Sequence, residues 1–483
     1  MTSRILPRRS FLQGSLAVAA VAFNPVSRSW ASTTGGQSTP LPSLDGQLLL
    51  DATTLATAAD DFGHIVHRTP WAVLVPGSVQ DIVKMVRYAR EHGLKVAAAR
   101  GTGDSHSTQG QSQVEAGLVI DMSSLATIHS VGATSAWVDA GVRWRALLEA
   151  TLPLGKSPPT LTDFIELSVG GTLSVGGIGG QAFRSGLQVD NVLELDVVTG
   201  TGHLVRCSPT VETELFNAVR AGLGQFGIIV RARVRLVEVP AQVRTYTALY
   251  DNLATFLADQ KLLIDDGRFD YVEGFVETDA QGAWVWKLEA AKYFATPPDD
   301  ALLLAGLSYL AGTLTVQDSS YFDFANRMAP LVAFLQSIGV WGLPHPWLNL
   351  FVPEQEVESY VQQVLAQTPP SEMGGGPILL YPFHAHPLTT PFARMPSSQR
   401  IFLFALLRTA DPATEANEQA LITKNRAFYE QLTAVGGKRY PIDSVPMSAT
   451  DWQAHFHPHW ADFQSAKARF DPDHVLTPSQ GIF

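Results

Sequence analysis

The chain has 483 residues, enough for about three folding units of ordinary size or for one large enzyme domain with an elaboration. Apolar residue types make up 46% and charged types 16%, so the sequence can bury a sizeable core and is too apolar for a disordered protein. The formal charge of -11 argues against nucleic-acid binding, and a single cysteine, Cys207, excludes an internal disulfide framework and a cysteine-rich metal site.

Residues 1–31 have the composition of an export signal. Three arginines precede an apolar, alanine-rich stretch over residues 11–23 that is too short to span a bilayer. The Arg8-Arg9 pair resembles the twin-arginine signal, and the residues around Ala31 suit cleavage there. We therefore expect a periplasmic or secreted protein that loads a cofactor before export and has no membrane span after signal removal. A flexible linker is predicted over residues 32–47.

The folded part is predicted to begin near Leu48 with an α/β pattern. Strands are predicted over 72–75, 95–99 and 118–121, and apolar residues at helical spacing predict a helix that ends at Gly93, with a capping box from Ser78 to Asp81. A second unit is predicted to end near residue 240. Its predicted elements are helices 144–151 and 212–221 and strands 137–140, 192–198 and 228–236. The middle of the chain, to about Ser444, mixes strands with helices.

Two glycine-rich segments are candidate ligand-binding loops. The first, residues 100–111, follows a predicted strand and exposes backbone N–H groups that can hold an anion such as a pyrophosphate, although a plain surface turn has the same composition. The second, residues 169–180, contains six glycines without the strand-to-helix context of a Rossmann fingerprint. We expect it to let the backbone approach a large flat ligand. Together the two segments suggest a dinucleotide held along its length.

Short motifs follow one another along nearly the whole mature chain: His106-Ser107 with Gly110-Gln111, Thr162-Asp163-Phe164, Asn191 to Glu194, Gly222 to Gly227, Asp270 to Gly274, His345 to Pro353 and Leu476 to Phe483. The series resembles that of cytokinin dehydrogenases and their bacterial relatives. The resemblance implies an α+β flavoprotein of the vanillyl-alcohol oxidase and p-cresol methylhydroxylase superfamily. Its two-subdomain FAD-binding domain would be formed by both chain ends, residues 48–240 and 445–483, and its central α+β substrate (cap) domain by residues 241–444.

The resemblance implies that FAD is bound covalently through His106, because a neutral imidazole can attack the flavin methyl group. The family reads Arg-Gly-x-Gly-His-Ser, whereas this chain inserts Asp104-Ser105 before His106. An alternative alignment places Asp104 at the histidine position and leaves FAD noncovalent, but the spacing to Gly110-Gln111 favours His106. The resemblance implies further FAD contacts at these positions: Arg100, Gly101, Thr102, Gly103, Ser107, Gln111, Asp163, Ser168, Ser174, Ile178, Ile229, Tyr440, Thr477 and Gln480.

The resemblance also assigns two carboxylates to the substrate. Asp163 is predicted to be the general base that takes the N–H proton of an amine, and Glu273 to hydrogen-bond a purine ring. Trp347 and Asn349 are predicted to wall the substrate pocket. The structural alternatives are a turn aspartate, a solvated strand-edge glutamate and ordinary core packing.

The predicted function is that of an FAD-dependent oxidoreductase that oxidises a secondary amine to an imine, which hydrolyses to an aldehyde and an amine. Oxygen or a quinone would be the electron acceptor. The alternatives are an FAD-dependent alcohol or sugar (aldonolactone-type) oxidase and a noncatalytic flavin-binding electron-transfer protein. His455, His457 and His459 alternate as metal ligands on a strand would, but Pro458 and the neighbouring tryptophans favour a packed segment, so no metal site is predicted.

Overall fold

The structure is a computed structural model that describes residues 21–24, 29–32, 38–101 and 107–483. The predicted Arg8-Arg9 signal lies outside the described residues, as does the segment 102–106 of the first glycine-rich loop. Three short antiparallel strands come first: β1 (Val21–Asn24), β2 (Ser29–Ser32) and β3 (Ser38–Pro40). The predicted linker therefore contains regular structure at its third strand.

The next unit is a mixed four-stranded sheet with helices. Its elements are β4 (Gln47–Leu49), α1 (Ala52–Ala58), β5 (Ala72–Val75), α2 (Val79–Glu91), β6 (Val96–Ala99) and β7 (Leu118–Asp121). The strand order is β4-β5-β7-β6, with β5, β7 and β6 parallel, so α2 makes the crossover between two parallel strands. Ile82 and Val86 of α2 are fully buried, as the helical spacing predicted.

The predicted capping box at the start of α2 is wrong. Ser78 donates its hydroxyl hydrogen bond to Asp45 and makes no cap bond to the helix. Asp81 accepts instead from the backbone N–H groups of Asp45, Gly46 and Gly77, at 2.7 to 2.9 Å. The Asp81 carboxylate thus fixes the turns that precede the helix and does not bind the N-cap residue, Ser78.

The second unit is an antiparallel five-stranded sheet covered by helices. Its elements are β8 (Ile128–Val131), β9 (Ser135–Asp139), α3 (Trp144–Thr151), β10 (Lys156–Ser157), α4 (Val169–Val175), α5 (Ala182–Ser185), β11 (Val192–Thr199), β12 (Leu204–Cys207), α6 (Thr213–Val219), β13 (Gly227–Arg235) and β14 (Val237–Glu238). The order in the sheet is β12-β11-β13-β9-β8, and β10 pairs separately with β14.

The third unit is an antiparallel eight-stranded sheet. Its elements are β15 (Gln242–Tyr250), α7 (Leu253–Asp266), β16 (Tyr271–Thr278), β17 (Trp284–Phe294), α8 (Asp300–Leu304), β18 (Thr315–Ser320), α9 (Tyr321–Ala325), α10 (Met328–Ser337), β19 (Leu348–Pro353), α11 (Val357–Ala366), β20 (Ile378–His384), β21 (Arg400–Leu406), α12 (Glu415–Ala434) and β22 (Lys438–Arg439). The strand order is β18-β15-β17-β16-β20-β21-β19-β22. One continuous apolar core runs through all three units.

The last segment returns to the first unit. After α13 (Ala449–Phe456) and α14 (Trp460–Phe470), the chain lies parallel to β6, where the N–H of Val96 donates to Val475 and the N–H of Thr477 donates to Val96, both at 2.8 Å. The segment around Leu476 therefore pairs with β6 at the edge of the first sheet. Within the part of the chain that the structure describes, no helix combines the length and apolarity needed to cross a bilayer.

Candidate active site

A cluster of charged side chains lies where the loop before α4 meets the eight-stranded sheet. Asp163 belongs to this loop, and its Oδ1 accepts hydrogen bonds from the hydroxyl of Tyr271 (2.8 Å) and from Nη2 of Arg327 (2.6 Å). Tyr271 begins β16, and Arg327 lies between α9 and α10. Arg327 also hydrogen-bonds the hydroxyl of Tyr271. The predicted base is therefore held by two donors that the sequence did not single out.

The register of the eight-stranded sheet adds two glutamates to this cluster. Glu273 of β16 lies directly opposite Glu289 of β17, so both side chains point to the same face, as does Tyr271 two residues before Glu273. Two like charges in this arrangement destabilise a sheet. Arg327 lies beside both, with Nη2 3.6 Å from Oε2 of Glu273 and Nε 3.2 Å from Oε1 of Glu289. One guanidinium thus faces three carboxyl groups.

Burial differs among the acids. The side chain of Glu273 is 0% exposed, against 23% for Asp163. Burial, with the nearby negative charge of Asp163, raises the pKa of Glu273 well above its usual range, and Arg327 opposes this only in part. Burial therefore favours the protonated, neutral form of Glu273. The structural alternative of a solvated strand-edge glutamate is wrong for this residue.

Aromatic rings lie beside the charged cluster. Phe164, next to Asp163, contacts Trp341, with ring centroids 5.9 Å apart, and both line a cavity of about 250 Å³ together with helix α10. Phe62 contacts both Trp341 (4.8 Å) and the predicted pocket residue Trp347 (5.0 Å). The rings provide the flat apolar surfaces on which a planar ligand can stack.

Hydrogen bonds fix the first glycine-rich loop on both sides of residues 102–106, which lie outside the described residues. Arg100 donates weakly to the carbonyl of Gly141 (3.4 Å), and the N–H of Gly101 donates to Asp121 (2.8 Å). Thr102, Gly103 and His106, all predicted FAD contacts, lie outside the described residues, as do Asp104 and Ser105.

The buried side chain of Asp61 fixes the part of the first glycine-rich loop that begins at Ser107. It accepts from the hydroxyl of Ser107 (2.7 Å) and from the N–H of Gly110 (2.7 Å), and burial raises its pKa to about 6. Gln111 donates to the carbonyl of Asp443 (3.1 Å), which ties the loop to the segment after β22.

The second glycine-rich segment is helical in its first part. Residues Val169–Val175 form helix α4, and Ser168 caps it by accepting from the N–H of Gly171 (3.3 Å). A methyl group placed on any of the six glycines would lie within 3.1 Å of another protein atom, for example 2.6 Å from the Tyr271 ring at Gly180. Close contacts between protein segments therefore account for these glycines, and the approach of this backbone to a flat ligand stays a prediction.

The other predicted FAD contacts lie where distant segments meet. Ser174 donates to the carbonyl of Gly170 inside α4 (2.8 Å), and Ile178 and Ile229 are buried. The remaining three make contacts across the chain: Tyr440 accepts from the N–H of Gly177 (2.8 Å), Thr477 donates to the carbonyl of Gly224 (3.0 Å), and the carbonyl of Gln480 accepts from Trp452 (2.9 Å).

Two buried amides fit a bound cofactor. Both amide atoms of Gln188 and Nδ2 of Asn349 lack a hydrogen-bond partner among the described residues, although both side chains are buried. Gln188 contacts Gly177, whose N–H binds Tyr440, and Tyr440 donates its own N–H to the carbonyl of Asn349 (2.8 Å). Unpartnered buried amides are uncommon, and a ring with carbonyl and imino groups, such as a flavin, would satisfy them.

The three histidines near the C-terminus do not share a strand. His455 is buried in α13, His457 follows the helix, and His459 precedes α14. In the described ranges no three metal-ligating side chains come together.

Comparisons with known proteins give consistent results. A family model described as cytokinin dehydrogenase 1, FAD and cytokinin binding, matches residues 240–301 and 278–483, and an FAD binding domain model matches residues 70–208. The chain is 43% identical to an uncharacterized oxidoreductase, ORF5 of the fasciation locus of Rhodococcoides fascians, over 89% of this chain and 97% of the relative. It is 37% identical to cytokinin dehydrogenase 3 of Oryza sativa subsp. japonica, over 89% of this chain and 90% of the relative.

Solved structures share the architecture. 6-Hydroxy-D-nicotine oxidase from Arthrobacter nicotinovorans superposes with a TM-score of 0.69 at 22% identity, over 90% of this chain and 97% of that chain. The VAO-type flavoprotein MtVAO615 from Myceliophthora thermophila C1 superposes with a TM-score of 0.67 at 18% identity, over 85% and 79%. At these identities the likeness concerns the fold, and it confirms the predicted α+β class with a two-subdomain FAD-binding part.

Proposed function

Because the chain belongs to the cytokinin dehydrogenase-like family of FAD-dependent oxidoreductases, we propose that it oxidises the carbon–nitrogen bond of a secondary amine to an imine, which water hydrolyses to an aldehyde and an amine. The observation that carries the proposal is the pairing of Asp163 with the buried Glu273 across one guanidinium, beside an aromatic cavity. An N6-alkylated purine has the planar ring and the N–H group that this arrangement suits.

In this mechanism Asp163 takes the N–H proton of the substrate. Both donors, Tyr271 and Arg327, bind Oδ1, which leaves Oδ2 as the acceptor. Bound FAD supplies the acceptor for the hydride that leaves the carbon beside the nitrogen. A base positioned in this way contributes about 10²- to 10⁴-fold to the rate.

Glu273 and the aromatic residues orient the substrate. A neutral carboxylic acid has one O–H donor and an acceptor oxygen, so Glu273 can pair with a ring that has one acceptor and one donor edge. Phe164 and Trp341 stack on the ring. Nδ2 of Asn349, which has no hydrogen-bond partner among the described residues, has two N–H donors, so it can bind the substrate as well as the flavin.

We also propose that FAD is attached through His106. The residue after it, Ser107, is fixed by Asp61 at 2.7 Å, so the end of the loop has a defined position. If yellow colour stays with acid-precipitated protein, and is released in the variant His106→Ala, the attachment is supported. Colour released from the unchanged protein by acid precipitation would favour the alternative alignment, in which FAD is noncovalent.

The function is tested by mixing the purified flavoprotein with isopentenyladenine in the absence of oxygen. We expect the flavin absorbance to bleach, and we expect Asp163→Asn to slow bleaching by about 10²- to 10⁴-fold at unchanged flavin content. Asp318→Asn, which removes a carboxylate from the edge strand β18, is the matched control and should bleach at the rate of the unchanged protein. A flavin that stays yellow with this purine but bleaches with a sugar or another alcohol would refute the amine substrate.

A further inference from the structure

Arg327 connects the proposed base Asp163 to the unit that contains the eight-stranded sheet, and none of the predicted roles includes this contact. Arg327 lies between α9 and α10, two helices of that unit, and its guanidinium reaches Asp163, which belongs to the loop before α4. We propose that Arg327 is the positioning residue of this site: it supplies the counter-charge for Asp163 and turns the free oxygen of that carboxylate toward the substrate N–H. This inference rests on the proposed function, because it gives Asp163 the role of base.

The first argument is the direction of the hydrogen bonds. Arg327 and Tyr271 both donate to Oδ1 of Asp163, at 2.6 and 2.8 Å, and no donor among the described residues reaches Oδ2. A carboxylate held through one oxygen by two donors cannot turn freely, so its second oxygen keeps one direction. A base needs this fixed direction in order to meet a substrate proton in line.

The second argument is charge. Glu273 and Glu289 face each other across β16 and β17, and Asp163 completes a group of three acids within reach of one cation. Arg327 is thus the counter-charge that this group of acids shares, and an opposite charge within a few ångströms favours the charged form of a carboxyl group.

The groups that face Asp163 come from several elements: Tyr271 and Glu273 of β16, Glu289 of β17, Tyr381 of β20, and Arg327. Arg143 and Glu166 line the neighbouring cavity and pair with each other at 2.9 Å. In this set Arg327 is the cation that contacts the carboxylate of Asp163. Its removal should therefore have a larger effect on Asp163 than any other single change.

The test is a titration of Asp163 in the holoenzyme by infrared spectroscopy. The band of the protonated carboxyl is assigned by its loss in Asp163→Asn, and its midpoint is compared in the unchanged protein, Arg327→Gln and Arg327→Lys. We expect the midpoint to rise by about 1–3 pH units in Arg327→Gln, and by less in Arg327→Lys, which keeps a point charge. Equal midpoints in all three proteins would overturn the proposal.

A second readout uses the pH profile of flavin reduction by isopentenyladenine. In Arg327→Gln the acid limb should shift upward by the same 1–3 units, and millimolar guanidinium should move the limb of Arg327→Ala back toward its original position. A uniform loss at every pH would indicate a merely structural role, and a lower KM at unchanged kcat would indicate that Arg327 blocks the site; either result contradicts the proposal.

Arg244→Gln is the matched control. Arg244 of β15 pairs with Asp300 and Asp318, outside the cluster. This variant therefore loses a comparable ion pair in the same unit and should keep the original midpoint and pH profile. If isopentenyladenine does not reduce the unchanged protein, the proposed function fails. The infrared midpoints still decide whether Arg327 supplies the counter-charge for Asp163.

Discussion

A single buried ion pair should hold the C-terminal segment against the rest of the fold. Lys467 of α14 lies 2.7 Å from Asp471, and both side chains are almost completely buried. Asp471 in turn accepts from the N–H groups of Val475 and Leu476, at 2.8 and 2.9 Å, just before the predicted FAD contact Thr477. The change Lys467→Met keeps most of the apolar stem and removes the charge.

The expected loss of stability follows from what remains. Without the ammonium group, Asp471 is a buried carboxylate with no cation, and breaking one partner of a buried pair costs about 3–5 kcal/mol. For 483 residues that unfold as one unit, the unfolding entropy is roughly 1 kcal/mol/K, so this loss corresponds to a fall in Tm of about 3–5 °C. Lys467 also donates to the carbonyl of Gln225 (2.9 Å), so the loosened segment should bind flavin less tightly.

Thermal unfolding followed by circular dichroism, together with flavin content, measures both effects. Arg469→Met is the control on the same helix, because Arg469 pairs with Glu214 at the surface and should contribute less than about 1 kcal/mol. The double variant with Lys467→Met and Asp471→Asn should lose less than Lys467→Met alone, since it leaves no unpaired charge. If Lys467→Met and Arg469→Met melt together, the buried pair does not stabilise this segment and the reasoning is wrong.

Two further changes test packing and protonation. Gly180→Ala would place a methyl group 2.6 Å from the Tyr271 ring, so urea unfolding should show a free energy of unfolding lower by about 1–3 kcal/mol. Gly342→Ala, which has open space around it, is the control and should change this free energy by less than about 0.5 kcal/mol. Equal effects of the two changes would contradict the packing argument. Burial lowers the pKa of His345 to about 4, so below pH 6.5 the unfolded chain takes up a proton that the folded chain does not, and stability falls. Between pH 7 and 4.5 this amounts to about 2–3 kcal/mol, and His345→Gln should remove it from the measured pH dependence; an unchanged slope would contradict the assignment.

Sequence patterns were sufficient for several regular elements of the first two units. The helix predicted over 144–151 is the observed α3, and the strands predicted at 72–75 and 118–121 are the observed β5 and β7. The two strands are short apolar runs, and the helix has apolar residues at helical spacing, so both patterns can be read from the local sequence. The capping box failed because Asp81 binds the backbone near residues 45 and 46, a contact that sequence spacing does not contain.

The site was predictable only in part. Family motifs pointed to Asp163 and Glu273, and the structure brings both to Arg327, although 110 positions separate them in the chain. Arg327 and Glu289 had no motif, because their place in the cluster depends on strand register and on the approach of α10. The protein contacts of the six glycines could not be predicted for a related reason: a glycine indicates that something comes close, and only the fold identifies the neighbouring protein atoms.

The pairing of β6 with the C-terminal segment has a consequence for the order of events during synthesis. Lys95 and His474, which are 379 positions apart, lie in hydrogen-bond contact, so the edge of the first sheet remains open until residue 474 leaves the ribosome. At about 5–20 residues per second, that edge waits roughly 20–80 s for its partner. FAD loading that needs Thr477 and Gln480 would therefore begin only after these residues have been synthesised, and a chain truncated before residue 474 should accumulate without flavin.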